Sequence, residues 1–434
     1  MQGKFAHISD CHIGAWREPR LRNLNDLAFS KAIDLSIKEN VDFVVISGDI
    51  FDIGIPEMSS VRSAAKKLRE LSNHGVQSYV VYGSHDYSPT TVSMVEVLTS
   101  AGLFTNVGEF EETIEVVSKK KHIALKSVID EKTGVRLAGL PARRTGLEKS
   151  FYEGLEKKPV SARDQYSVFV FHASISELQS LNIPVEQSIS MQELPKGFNY
   201  YAGGHLHRRL VGRLDGSPVV YPGPLFGTST TDLEISAKGE ERGFAIVEFE
   251  GNKTTRVGFI DIPAPKILSK IFSAEGKSTE EVAKEISEFV SKETMNVDGA
   301  IVLLRVKGVL SSGKPSDIEW FRYRVALLKR GALVVNINRM GVLTRESKRL
   351  ALLGTTNKEE IEAKLLQEYI SNFKPQTKEL EFLSSTEGVA KSSKLLRALK
   401  TEKKEEETKQ TFEKRVLKEA SLALGVELEE GSSQ

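Results

Sequence analysis

Five short motifs set Asp and His beside glycine or other small residues along the first half of the chain. They read Asp10-Cys11-His12, Gly48-Asp49-Ile50-Phe51-Asp52, Gly83-Ser84-His85-Asp86, Phe171-His172-Ala173 and Gly204-His205-Leu206-His207. Mixed imidazole and carboxylate donors suit manganese, iron or zinc better than calcium or magnesium, which prefer oxygen alone. Two carboxylates and four histidines exceed one tetrahedral shell. Such a set points to two ions roughly 3.5 to 4 Å apart that clamp the attacking and leaving oxygens of a phosphoryl transfer. A lone His or Asp after a strand is ordinarily a turn residue or a cap. Here five of the chain's 8 histidines fall in the motifs, which singles out this ordered set. His7, His74 and His122 have no such context and are expected to play core or surface roles.

Each motif follows a run that reads as a buried strand: Phe5 to Ser9, Phe43 to Ser47, Ser78 to Tyr82, Tyr166 to Val170 and Tyr200 to Gly203. The polar groups therefore gather at the carboxyl ends of strands, where open α/β sheets place their sites. Asp10 and His12, and again His205 and His207, are one residue apart. In an extended segment both members of such a pair face the same way, and Cys11 turns to the other side as a buried, inert thiol. Between the first motifs, Leu24, Leu27, Ala28, Ala32 and Leu35 recur at helical spacing, as does the segment Ser60 to Asn73. Parallel strands crossed by helices follow. Beyond about Phe110, runs such as Ile114 to Val117, Val135 to Leu140, Val168 to Phe171 and Phe244 to Phe249 read as strands. Two mixed β-sheets packed face to face, with helices flanking them, would accommodate this α/β pattern.

These motifs resemble the D-x-H, G-D, G-N-H-D, H and G-H-x-H blocks of the calcineurin-like metallophosphoesterases. The stretch from His7 to Gly14, the turn from Ser47 to Asp52, the segment Leu140 to Gly146 and the turn Tyr221-Pro222-Gly223 are similar, within that superfamily, to the Mre-eleven/SbcD nucleases of DNA double-strand-break repair, archaeal members in particular. The resemblance implies a metallophosphoesterase sandwich. It implies one ion held by Asp10, His12 and His207, a second by His172 and His205, and Asp49 bridging them. His85 is then the catalytic histidine at the departing 3′ oxygen, with Asp86 orienting its ring. Hydrolysis of this kind leaves a 5′ phosphate. The implied cofactors are two Mn2+ ions, with iron, zinc or magnesium as substitutes. Ser84 stands where the family has Asn, so the second ion has a weaker neutral ligand. Asp52 stands where many relatives have His, and is expected to be a hydrogen-bond partner of the site.

Composition bounds the rest. At 434 residues and 40% hydrophobic content, the chain can bury a large core in two or more domains. A net charge of +1 provides no global basic field, so any DNA contact has to come from local patches. Cys11 is the single cysteine, which excludes an intrachain disulfide and fits a reducing cytosol. No secretory h-region and no membrane-spanning apolar run is present in the sequence, so a soluble cytoplasmic protein, working with the nucleoid, is expected.

Three domains are expected: 1–262 as the nuclease, 263–344 as a small α/β capping domain and 345–434 as a helical, partner-binding tail. The joint Ile262-Pro263-Ala264-Pro265 precedes a strand from Ile267 to Ser273. A helix capped by Ser278 and Glu281 follows, with Val282, Ile286 and Phe289 on its face. Next come a strand from Ala300 to Val306, a helix opened by Pro315 with Ile318, Phe321, Val325 and Leu328 on one face, and a strand from Ala332 to Ile337. Arg143, Arg144, Arg208 and Arg209 lie nearest the motifs and are candidates for the DNA backbone. Arg322, Arg324, Lys329, Arg330 and Arg339 are either further phosphate contacts or a solvated helix face. In the tail, Thr356 and Glu359 open one amphipathic helix running to Phe373. A polar linker leads to a second stripe of Phe412, Val416, Ala420 and Ala423. Either the two helices dock on a partner or they fold back on the chain. The resemblance implies an SMC-like ATPase partner of the Rad-fifty/SbcC type, since this chain has no phosphate-binding G-x-x-x-x-G-K-[ST] loop. It also implies a homodimer formed through the segment Pro56 to Val76. The sequence leaves two rivals to a DNA exonuclease and endonuclease: a general phosphodiesterase or phosphatase, and a catalytically weak metal-binding scaffold.

Overall fold

A computed structural model describes residues 2–88, 92–114, 121–142, 148–155, 165–178, 188–292, 296–345, 385–401 and 407–425. In chain order the elements begin with β1 (Gln2–Ile8), α1 (Pro19–Lys38), β2 (Phe43–Ser47), α2 (Met58–Asn73), β3 (Gln77–Val81), α3 (Met94–Ser100) and β4 (Thr105–Asn106). They continue with β5 (Phe110–Ile114), β6 (Lys121–Leu125), β7 (Ser127–Ile129), β8 (Arg136–Leu140), α4 (Glu148–Glu153), β9 (Ser167–His172) and β10 (Tyr200–Gly204). Then come β11 (Leu210–Leu214), β12 (Ser217–Tyr221), α5 (Thr230–Ser236), β13 (Gly243–Glu250), β14 (Lys253–Asp261) and β15 (Ile267–Ser273). The last are α6 (Thr279–Ser291), β16 (Ile301–Val309), α7 (Trp320–Lys329), β17 (Val334–Leu343), α8 (Thr386–Leu399) and α9 (Lys409–Leu424).

Two six-stranded mixed sheets carry the motifs. One has the order β14-β13-β1-β2-β3-β4, the other β11-β12-β10-β9-β8-β7. Strands β1, β2 and β3 are parallel, as are β8, β9 and β10, because helices or long connections return the chain between them. Side-chain alternation then sorts each strand into two cores. Phe5, Phe43, Val45, Tyr79 and Val81 face Val168, Val170, Tyr200, Ala202 and Val220 in a layer between the sheets. Ala6, Ile8, Val44, Ile46 and Val80 pack instead with Ala28, Phe29, Ala32 and Leu68 of α1 and α2. Aromatic rings join the sheets: Phe5 stacks on Phe43 at 4.9 Å and meets Tyr200 edge-on at 5.3 Å. The sandwich expected from the sequence is the one observed.

Some details differ. The buried face of α1 is Leu21, Asn25, Ala28, Phe29, Ala32, Ile33 and Ser36, and Leu27 is 47% exposed. Leu21 and Phe29 turn inward in place of Leu27, so the buried face is rotated relative to an apolar count. Pro315 opens a single 3-10 turn, Pro315–Asp317, and α7 starts only at Trp320. The register of its face shifts accordingly. Trp320, Tyr323 and Leu327 are buried, while Phe321 is 77% exposed. Residues expected to form a polar linker contain α8, whose N-cap Ser385 accepts from Gly388 N at 3.0 Å. The apolar stripe of α9 faces α8, with Ala398 and Ala423 buried. Leu399, Leu417, Leu422 and Leu424 stay exposed. The expected helix from Thr356 to Phe373 lies outside the described residues, as do Arg143 and Arg144.

Strands β15, β16 and β17 form a three-stranded sheet in that order. The chain divides into two compact units. One is Met1–Ile271, Ile286–Arg305 and Trp320–Asn338, and the other is Phe272–Glu285, Val306–Glu319 and Arg339–Gln434. Among the described residues no helix is long and apolar enough to cross a membrane.

His7 ties the two sheets together. Its ring lies between Tyr200 Oη and Ser47 Oγ, each at 2.9 Å, and full burial lowers its pKa to about 3, against a smaller opposing effect of Gly203. The unfolded chain therefore binds a proton below about pH 6.5 that the folded chain refuses until pH approaches 3. Stability is expected to fall by about 2 kcal/mol between pH 7 and pH 5 from this group alone, at about 1.4 kcal/mol per pKa unit. Urea unfolding of wild type and His7→Gln checks this: the variant should show the shallower pH slope, and equal slopes would contradict the assignment.

Candidate metal centre

The five motifs converge at the carboxyl ends of β1, β2, β3, β9 and β10. Their turns are not extended. Asp10, His12, Asp49 and His205 all have positive φ, at 49°, 42°, 50° and 92°. The shared face expected for Asp10 and His12 therefore comes from two left-handed residues that fold the turn, not from strand alternation. Asn25 of α1 holds the turn by donating to the main-chain oxygens of Cys11 at 3.1 Å and His12 at 2.6 Å. Cys11 is buried in the α1-side core, and burial, with Asp10, Asp86 and Asp49 nearby, pushes its thiol pKa up.

Two glycines set the spacing between turns. A side chain on Gly83 would collide with the main-chain N and the carboxylate of Asp49, and one on Gly204 would collide with Ser47 O. That Ser47 oxygen accepts from His172 Nδ1 at 2.9 Å, so close approach of β10 and β2 also fixes the His172 ring.

Two groups of potential ligands result, each with donor atoms within 4.8 Å of one another: Asp10, His12 and His207, and Asp49, His172 and His205. A third group, His12, Asp52 and His85, lies beside them. In each imidazole of known orientation, Nδ1 is occupied by an acceptor. His12 Nδ1 donates to Asp52 Oδ1 at 3.2 Å and His207 Nδ1 to Asp232 Oδ2 at 3.1 Å. Their Nε2 atoms consequently carry lone pairs, and they face each other at 3.3 Å. His172 Nε2 likewise points at Asp49 Oδ2 across 3.2 Å, and the same oxygen lies 3.6 Å from His12 Nε2. Two acceptors at such separations repel unless a cation or proton lies between them. Among the described residues, His172 Nε2 and Asp10 Oδ2 are buried without a hydrogen-bond partner, as expected of atoms reserved for ions. The residues fit two metal ions.

Charge within the site follows the same logic. Burial penalises the His172 cation, but Asp49 and Asp10 outweigh it and raise the His172 pKa to about 10. Asp49 is pushed up by burial and held well below the usual carboxylate range by His172, then His12 and His85. The carboxylates thus favour positive charge in this cleft, whether proton or metal.

A family model described as Calcineurin-like phosphoesterase matches residues 3–209, the segment that carries all five ligand turns. That segment of the chain is similar to the calcineurin-like phosphoesterases. It is 25% identical over 396 residues to the DNA double-strand break repair protein Mre11 of Archaeoglobus fulgidus, covering 85% of each chain. To the protein of the same name from Saccharolobus solfataricus it is 28% identical over 226 residues, 51% of this chain and 54% of that one. A crystal structure of a dimetal phosphatase from Danio rerio is 13% identical, with a TM-score of 0.33 over 60% of this chain and 99% of that one.

Around the cleft, the structure places the remaining expected residues differently from one another. His85 is exposed at the rim, its ring 4.8 Å from that of His12, and its Nδ1 donates to Asp52 O at 2.6 Å. Asp52 thus orients His85 through its main chain and His12 through its carboxylate. Asp86 does not orient His85. Its carboxylate accepts from Ile50 N at 3.0 Å, Phe51 N at 3.1 Å and Gly83 N at 2.8 Å, binding the second and third turns together. Burial and then Asp49 raise its pKa to about 7, against the pull of the Gly83 and Phe51 amides. Ser84 is half-buried on the same turn. Arg209 is drawn to Asp261 at 2.5 Å and Glu241 at 3.3 Å and covers Phe259, while the more exposed Arg208 meets Glu240 at 3.4 Å. Arg330, expected either at phosphate or on a solvated helix face, donates to Val290 O and Lys292 O at the end of α6. Sequence reasoning missed Asn25 and Asp232. Asp232 carried a signal, since Ser229-Thr230-Thr231-Asp232 reads as an S-x-x-D capping box.

Removing the Asp86 carboxylate leaves three buried amides unpaired, each worth on the order of 1 kcal/mol or more. Asp86→Ala is expected to lose roughly 3 kcal/mol of stability in chelator, where metal plays no part, by thermal or urea unfolding. An unchanged midpoint would return Asp86 to a role at the His85 ring.

Proposed function

We propose that the protein is a two-metal, manganese-dependent DNA nuclease that processes double-strand-break ends, acting with an SMC-like ATPase of the Rad-fifty/SbcC type. The observation that carries this reading is the pair of facing lone-pair arrays, His12 against His207 and His172 against Asp49, in a chain similar along 85% of its length to an archaeal Mre11. Asp10, His12 and His207 would hold one ion, His172 and His205 the other, and Asp49 both, with Ser84 a weak further ligand of the second. Bound ions would lower the pKa of an attacking water toward neutrality and neutralise phosphate charge.

The chain's own residues supply the rest. With Nδ1 engaged by Asp52 O, the His85 ring presents Nε2 to the cleft, and a proton there is delivered to the departing 3′ oxygen. Asp86 fixes the height of that ring by clamping the turn on which it stands. The DNA backbone would run past Arg208 and the rim of the site, with Arg143, Arg144 and Arg209 as further contacts. Ile53, Ile55, Met58 and Val97 are exposed on or beside α2 and α3, which supports a homodimer through the segment Pro56 to Val76. Leu399, Leu417, Leu422 and Leu424 on the α8–α9 pair offer an apolar face for the ATPase. A cytosolic location with the nucleoid accords with these partners.

Cleavage of a labelled linear duplex and of a small phosphodiester, in manganese, magnesium and chelator, tests the proposal. Wild type is expected to degrade the duplex in manganese. His85→Gln should lose at least 100-fold in rate while binding two ions, in line with general acid contributions of about 10² to 10⁴. Cleavage of the small ester alone would replace the nuclease reading with that of a general phosphoesterase. Deletion of residues 345–434 should spare manganese-dependent cleavage and abolish capture of the ATPase in a pull-down; retained capture would exclude the tail as its docking site.

A further inference from the structure

Helix α5 is short, yet it is gripped from two sides. On the side of the site, Asp232 Oδ2 accepts from His207 Nδ1 at 3.1 Å, from Thr228 N and Oγ1 at 3.2 and 3.0 Å, and from Ser229 N at 3.0 Å. Ser229 Oγ returns a bond to Asp232 N at 3.1 Å, closing a capping box. Arg242, buried beneath the helix, donates to His207 O at 2.6 Å, to Asp232 O at 3.0 Å and to Ser236 Oγ at 2.9 Å. One guanidinium therefore locks the main chain of a proposed ligand to the helix that orients its ring. On the other side, Glu234 accepts from Arg305 Nε of β16 at 2.7 Å, and Thr230 Oγ1 accepts from Asn336 Nδ2 of β17 at 3.4 Å. Both partners come from the segment after the Pro-rich joint, some seventy to a hundred residues away in sequence, and both lie in the same compact unit as the site.

We propose that Asp232 is a positioning residue for His207 and that α5 is a joint through which the placement of β16 and β17 sets the geometry of the His207 metal site. The inference rests on the two-metal reading of that site. The physical reason is rigidity. An 11%-exposed carboxylate held by an arginine cannot follow a displaced strand without moving the short helix that carries it. Asp232 lies two residues before Glu234 on that helix, and it fixes both the tautomer and the tilt of the His207 ring. Orientation of a ligand histidine by a carboxylate commonly governs metal affinity 10- to 100-fold. Elements outside the ligand turns would thereby tune how tightly the Asp10, His12 and His207 site holds its ion. DNA or a partner that shifts β16 and β17 would act on the site through the same contacts.

Titration of the full chain with Mn2+, followed by calorimetry and electron paramagnetic resonance, tests the joint without using activity. Wild type should bind two ions, and His207→Ala identifies which of them belongs to this site. Asp232→Asn should weaken that ion 10- to 100-fold and leave the other unchanged. Arg305→Gln and Glu234→Gln, neither of which touches a ligand, should each weaken the same ion several-fold, and the double variant should be no weaker than either alone. Ser229→Ala removes the helix cap but not the contact with His207, so it should lower the melting temperature in chelator and spare manganese affinity. Wild-type affinity in Asp232→Asn overturns the positioning role. Wild-type affinity in both Arg305→Gln and Glu234→Gln overturns the joint, as does an equal loss in Ser229→Ala, which would mark a merely structural effect. Failure of wild type to bind two ions would instead overturn the metal reading beneath it.

Discussion

The structure depends on a deliberate electrostatic conflict: imidazole nitrogens and carboxylate oxygens with lone pairs are held facing each other in a buried cleft. His12 and His207 meet Nε2 to Nε2 at 3.3 Å, and His172 meets Asp49 at 3.2 Å. In a metal-free chain the Asp49 and Asp10 carboxylates outweigh the cost of burial and raise the His172 pKa to about 10. Bound cations relieve the conflict more completely, since a divalent charge satisfies several lone pairs at once. Everything around the cleft serves to keep the lone pairs aimed. Ser47 O, Asp52 and Asp232 each occupy the other nitrogen of a ring, and Asp86 and Asn25 hold the turns that carry the rings.

Such a site needs a stiff frame, because ligand atoms aimed at a common point would otherwise swing apart. The two sheets supply it. Their shared layer is almost wholly apolar, with Phe5, Phe43, Tyr166, Tyr200 and Phe249 interlocked, so the strand ends cannot slide relative to one another without opening the core. His7 adds a polar pin between β1, β2 and β10 just below the ligand turns. At the turns, left-handed backbone at Asp10, His12, Asp49 and His205 costs energy that ordinary loops avoid. That strain is tolerated where the frame over-determines the conformation, which is the usual circumstance of a functional site.

Much of this was legible in the sequence. Strands announced themselves as β-branched and aromatic runs ending in Gly, Asp or His, and the motifs marked which turns would gather at the strand ends, while the division of ligands between two ions came only from the family resemblance. The reason for the grouping was not legible. Alternation along a strand predicts a common face for Asp10 and His12, whereas the chain achieves it by two positive φ angles, which Asp and His adopt more readily than most residues but do not dictate. The role of Asp86 was misread because adjacency in sequence was taken for contact. In a tight turn, neighbouring side chains diverge, and it is Asp52, 33 residues away, that reaches His85. The face of α7 was displaced because Pro315 opens a turn that breaks before the helix begins, so a helical count started from it carries the wrong phase. Asp232 was overlooked for a different reason: a capping box is a sufficient local explanation of an S-x-x-D pattern, and its second use requires a partner 25 residues away.

The account stands on cations filling the gaps between facing lone pairs. Anomalous diffraction from crystals of the full chain grown with manganese tests it most directly. Two peaks are expected, roughly 3.5 to 4 Å apart, one among Asp10, His12 and His207 and one among His172 and His205, with Asp49 shared between them. A single peak, or manganese bound away from these side chains while the facing nitrogens stay at hydrogen-bond distance, would contradict it.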